Sequence, residues 1–204
     1  MKQDIFSYNQ QLSQAFSHSP TPELFAKYIV SETIPPIADY QTAVQLVIDN
    51  YPRYTNTHAL IIGAFLSSEW CEGNNQLLEI LNQNFADLSI EERAITCFLN
   101  ANHLRMRDKN YRENPAYIEN LIKSTEPTVP FVFNYRELAK WETDKNKAQE
   151  LLDLAKKNII KVYTHKEIEA LTLEQLVSPQ FFIREHILGT HLSYVVYESL
   201  VDSI

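Results

Sequence analysis

Thr57-His58-Ala59-Leu60-Ile61-Ile62-Gly63-Ala64-Phe65-Leu66-Ser67-Ser68-Glu69-Trp70-Cys71 is the stretch that decides the fold class. Its apolar residues fall at nearly every angular position of a helix rather than along one stripe. A helix that is apolar most of the way round must be covered by neighbours on several sides. Its apolar run, Ala59 to Leu66, is far shorter than the ~20 residues a membrane span needs. Glu91 to Met106 reads the same way, through Ala94, Ile95, Cys97, Phe98, Leu99, Ala101 and Leu104. Two such segments point to stacked helices, one of each pair enclosed by its neighbours.

Helix starts are legible on either side of these segments. Thr21-Pro22-Glu23 combines an N-cap, a proline at the first helical position and an early acid. Ser89-Ile90-Glu91-Glu92, Thr164-His165-Lys166-Glu167 and Thr172-Leu173-Glu174-Gln175 fit the capping box, in which cap and third residue bond each other's backbone N–H. Asn114-Pro115 and Ser178-Pro179 repeat the cap-then-proline pattern. Asp39 precedes Tyr40, Ala43, Val44, Val47, Ile48 and Tyr51, which share one helical face. The expected helices are 4–17, 22–31, 40–50, 57–71, 75–86, 90–106, 115–124, 131–142, 145–159, 165–171 and 179–200, with no clear strand alternation. The chain reads as a single all-α domain over 1–204. It divides into N-terminal helices (1–55), repeat-like helix pairs (56–160) and C-terminal capping helices (161–204).

Composition supports this reading. The 204 residues are 45% hydrophobic and 22% charged, ordinary for a globular chain, but only 3 are glycine. Tight hairpin turns and phosphate-cradling loops depend on glycine, so they are disfavoured. The net charge of −8 argues against a nucleic-acid or anionic-membrane footprint for the surface as a whole. Cys71 and Cys97 lie in apolar stretches with no metal-ligand spacing and read as free buried thiols of a reducing compartment. The N-terminus lacks the apolar core of a signal peptide, and a cytoplasmic location is expected.

Trp70 and Trp141 stand about twice the ~34-residue tetratricopeptide period apart. Leu77, Ile80 and Leu81 follow the first at the offsets at which Ala148, Leu151 and Leu152 follow the second. The block Leu138-Ala139-Lys140-Trp141-Glu142-Thr143-Asp144-Lys145-Asn146-Lys147-Ala148, continued by Leu152 and Ala155, resembles a tetratricopeptide repeat, best over 131–159. The first block departs from the pattern by placing Leu77 and Asn84 where small residues belong. The intervening block inserts the polar connection Arg107 to Asn114. The resemblance implies a right-handed array of antiparallel helix pairs, ten or eleven helices in all, whose concave face binds peptides or partner proteins.

The local feature with most chemistry is His103-Leu104-Arg105-Met106-Arg107-Asp108-Lys109-Asn110-Tyr111-Arg112, a basic cluster in an acidic protein. Arg105, Arg107, Tyr111 and Arg112 are the candidate partner-binding residues, because guanidinium offers paired donors to an anion and Tyr a flat contact. The alternative is that cations gather where a helix end carries partial negative charge. His186 and His191 are five apart and diverge on a helix, so neither reads as a zinc ligand. Glu69 and Glu72 read as a solvated helix end. No nucleophile elbow, dinucleotide fingerprint, phosphate loop or zinc framework is present in the sequence. The expectation is a protein- or peptide-binding module without catalysis, cofactor or metal, binding neither nucleic acid nor membrane. Two alternatives stand beside it. One is an α-helical enzyme or small-anion binder with a pocket near His103, Arg105 and Arg107. The other is a structural subunit that dimerises through an apolar C-terminal helix, 179–200.

Overall fold

The computed structural model describes residues 5–34, 37–54, 56–70, 75–125, 132–157, 161–162, 170–188 and 191–192. The fold is all-α, with eleven α-helices among the described residues. In chain order they are α1 Ile5–His18, α2 Pro22–Glu32, α3 Tyr40–Asn50, α4 Thr57–Trp70, α5 Gln76–Gln83, α6 Ile90–Arg107, α7 Pro115–Ser124, α8 Val132–Trp141, α9 Lys145–Lys157, α10 Leu173–Leu176 and α11 Pro179–Phe182. Single 3-10 turns occur at Phe85–Asp87 and Tyr111–Glu113. No described helix is long and apolar enough to cross a membrane.

The caps expected at Thr21, Asp39, Ser89, Asn114, Thr172 and Ser178 are present and explain where those helices begin, while the box expected at Thr164 lies outside the described residues. Thr21 Oγ1 accepts from Leu24 N–H at 3.1 Å ahead of Pro22. Ser89 and Glu92 close a reciprocal capping box, with 3.2 Å to Ser89 Oγ and 2.8 Å from Ser89 N–H to Glu92 Oε2. Thr172 and Gln175 form the second box. Asn114 and Ser178 cap their proline-led helices. Asp39 Oδ1 takes the Thr42 N–H at 2.9 Å, and this bond holds the Asp39 carboxyl below the usual carboxylate range. Just before it, Ala38 adopts φ 35°, a left-handed conformation rare outside glycine.

The chain divides into two compact units, residues 1–86 with 171–183, and residues 87–170 with 184–204. This boundary does not coincide with the divisions at 55 and 160 drawn from sequence. In the first unit α4 is central, packed by α2, α3, α5 and α11. Ala59, Leu60, Ile61, Ile62, Ala64 and Leu66 of α4 are all buried, as its apolar circumference requires. Gly63 marks the closest approach, since a Cβ there would lie 2.6 Å from Leu77 Cδ1 and 3.2 Å from Val47 Cγ2. Phe16 stacks on Phe25 at 5.3 Å and meets Tyr54 edge to face at 5.1 Å.

In the second unit α6 packs along α7, α7 meets α8, and α8 packs along α9. The short connection between α8 and α9 makes the chain double back. Ala101, Tyr117 and Leu121 form a buried cluster, flanked by Leu104, Tyr111, Ile118 and Leu138. Buried Asn134 of α8 donates from Nδ2 to Ser124 Oγ, and Tyr135 donates its hydroxyl to the Thr125 carbonyl at 3.3 Å. These two bonds pin α8 to the end of α7.

The C-terminal region corrects one expectation. The helix expected over 179–200 is not continuous: α11 ends at Phe182 and passes into a π-helical turn, Ile183–Ile187. His191–Leu192 then pairs in parallel with Lys161–Val162, two residues on each side. The helix expected at 75–86 is shorter too, ending at Gln83 before the Phe85–Asp87 turn. Positions 165–169 of the helix expected at 165–171 lie outside the described residues, as do Cys71 and positions 193–200, while Ala170 and Leu171 are not helical.

Candidate functional site

The site is built on the second unit, where the turn between α6 and α7 faces the last turns of α8. Glu137, Lys140 and Trp141 stand at i, i+3 and i+4 of α8, so helical geometry places all three on one face. With Arg112 they line a cavity of about 220 Å³. Glu137 is buried at 7% exposure, whereas Trp141 keeps 37% of its surface open. Lys140 Nζ donates to Glu137 Oε1, which compensates the buried carboxylate. Without such a partner, burying that charge would cost several kcal/mol.

Tyr111 and Arg112 reach the site because the 3-10 turn Tyr111–Glu113 interrupts the polar connection after α6. Arg112 Nε donates to Tyr111 Oη at 3.2 Å, with the guanidinium carbon 5.6 Å from the Tyr111 ring centre. Behind this pair, Tyr111 meets Tyr117 edge to face at 4.9 Å, and Tyr117 lies 6.5 Å from Trp141. Three aromatic rings thus run in series from the turn to the rim of the cavity.

Tyr117 is 1% exposed, and its hydroxyl has no hydrogen-bond partner among the described residues. Burial, reinforced by the Glu137 carboxylate and by Tyr111, pushes this phenol far above its ordinary pKa, so it stays neutral. Glu137 also acts on Arg112 through its charge. Acid, guanidinium and phenol form one electrostatic neighbourhood.

The candidate residues chosen from sequence divide. Tyr111 and Arg112 stand at the site. Arg105 is half-buried and donates to Asn102 Oδ1, at 3.2 Å from Nε and 2.7 Å from Nη2. Its charge acts on Tyr117, so it supports the site from behind. Arg107 is exposed at the end of α6 and does not line the cavity. Of the three residues proposed for a pocket, His103, Arg105 and Arg107, none lines the cavity at Arg112. Glu137 and Lys140 were missed. Their signal in the sequence is the i, i+3, i+4 face shared with Trp141.

Elsewhere, Glu150, Asp153, Leu154 and Lys157, all of α9, border an open depression, and no second element encloses it among the described residues. Glu185 lies in the π turn, where burial pushes its carboxyl up to about 7. His186 shares that turn and His191 lies in the strand pairing, so the two histidines do not occupy one helix. No group of three or more His, Cys, Asp and Glu among the described residues could hold a metal. Comparison with family models, curated proteins and solved structures finds no match to this chain.

Proposed function

We propose that the chain is a protein- or peptide-binding helical module without catalysis of its own, which seats one residue of its partner against Arg112 and Trp141. The observation that carries this reading is the convergence of an exposed guanidinium, an exposed lysine and a half-open indole around one small cavity. Arg and Trp are the residue types that dominate binding energy at interfaces, because they pair large contact area with directed polar groups. The cavity is below the ~300–1,000 Å³ of sites for drug-sized ligands, which suits one side chain better than a bulky cofactor.

The tetratricopeptide-like arrangement belongs to the same proposal. In its favour, α6 and α7, and α8 and α9, are neighbours in both sequence and space. In the first unit α2 meets α3 and α4, and α3 meets α4 and α5, the near-neighbour order of stacked pairs. Ala155, at a small-residue position of the repeat-like block, is fully buried.

The test is capture from a lysate of the source organism, using the full chain and its Arg112→Ala and Trp141→Ala variants as baits. Partners should be retained by the parent and lost from both variants. Equal recovery on all three baits would refute the assignment of the site.

A further inference from the structure

The cavity also specifies a ligand chemistry. We propose that it binds a small monocarboxylate with a flat apolar body, such as an aryl-substituted acid, as a free molecule. Three independent observations converge on that class.

The first is charge. Arg112 and Lys140 set two positive charges against the single negative charge of Glu137, so the lining carries one excess positive charge. A monoanion cancels it. Phosphate, with ≈ −1.5 to −2 charges at neutral pH, would overshoot and face the Glu137 carboxylate.

The second is donor geometry. Arg112 uses Nε on Tyr111 Oη, and no acceptor among the described residues takes its two terminal NH₂ groups. Parallel donors of that kind match the two oxygens of a carboxylate. Lys140 gives one bond to Glu137 and has further donors on the same ammonium.

The third is shape. Trp141 presents a partly open indole, backed by the Tyr117 ring at 6.5 Å. An aromatic wall favours a flat apolar group in offset or edge contact. The volume of about 220 Å³ exceeds the ~150 Å³ cavity that holds benzene, leaving room for a ring and its carboxylate.

This inference uses the same pocket as the partner-binding reading but needs no partner chain, so the two fail separately. The experiment titrates the full chain with phenylacetate, phenylacetamide, acetate and inorganic phosphate, followed by calorimetry and by the Trp fluorescence. Phenylacetate should bind, and phenylacetamide should bind at least about tenfold more weakly, the worth of hydrogen bonds to a charged group. Arg112→Ala should weaken phenylacetate by a similar factor. Trp141→Ala should weaken phenylacetate but leave acetate unchanged. Glu137→Gln removes the negative charge of the lining and leaves two positive ones, so it should tighten phenylacetate and admit phosphate. Equal binding of acid and amide would overturn the proposal, as would silence from phenylacetate up to about 10 mM or an unaltered Arg112→Ala titration. Loss of partner capture in Arg112→Ala alongside such a failure would leave the partner reading standing alone.

Discussion

Two helices of this protein, α4 and α8, show opposite uses of the same secondary structure. α4 is packed by four other helices and buries most of the side chains along its middle, down to a close approach at Gly63. α8 buries Val132, Asn134 and Ala139 but turns Lys140 and Trp141 outward, with Glu137 held beneath them. Burial of apolar surface is the main stabilising term, and a helix covered on all sides contributes most of it. A helix that keeps an open face gives up some of that stabilisation and retains groups that can meet another molecule. On the proposed reading, stability and recognition fall to different helices.

Substitutions can break or sharpen this contrast. The largest effect is expected for Ile62→Ala in α4, where a fully buried side chain is removed. It should lower unfolding free energy by about 2–5 kcal/mol in urea titrations. Gly63→Val should cost about 1–3 kcal/mol, because branched carbon would meet Leu77 and Val47 at less than contact distance. If it proves neutral, the helices around α4 are not held as closely as described.

Tyr117→Phe should act in the opposite direction. It removes a buried hydroxyl that has no partner, and a gain of about 1 kcal/mol is expected. A loss would mean that the phenol is bonded in solution.

The smallest effect concerns acid. The Asp39 carboxyl is held below its ordinary pKa, chiefly by the Thr42 N–H. Its contribution is therefore present above the unfolded value of 3.8 and is lost as pH falls through the depressed folded value. Asp39→Asn should flatten that part of the acid-unfolding curve while leaving neutral-pH stability nearly unchanged, since Asn caps almost as well.

Helix positions were legible because capping is local chemistry. Thr21, Ser89, Asn114 and Ser178 bond backbone groups two or three residues away, and such short-range logic is written in consecutive letters. The C-terminal segment misled because its apolar residues fall on more than one face. That pattern does not separate a buried helix from other buried backbone. The Gly189-Thr190 pair after Leu188 was the cue that a continuous helix was unsafe.

Half of the site was legible for the same reason. Tyr111 and Arg112 stand in one basic cluster, and the 3-10 turn brings them out together. Glu137, Lys140 and Trp141 join them only through the packing of α8 on α7, secured by the buried Asn134–Ser124 bond. Nothing in the spacing between Arg112 and Glu137 announces that meeting. Likewise, Arg107 looked equivalent to Arg112 in the sequence, but it remains on the exposed end of α6.

A chain so poor in glycine has to make its sharp backbone bends with other residues, and Ala38 is where this shows. Its left-handed backbone is held by Ala38 N–H to Ile34 O at 3.2 Å and Asp39 N–H to Glu32 O at 2.6 Å. The methyl group there is a fixed liability of about 1 kcal/mol. Ala38→Gly should raise the melting temperature by a few degrees without altering the cavity at Arg112 and Trp141. That makes this bend the natural place to begin thermostabilising the protein for crystallisation or display.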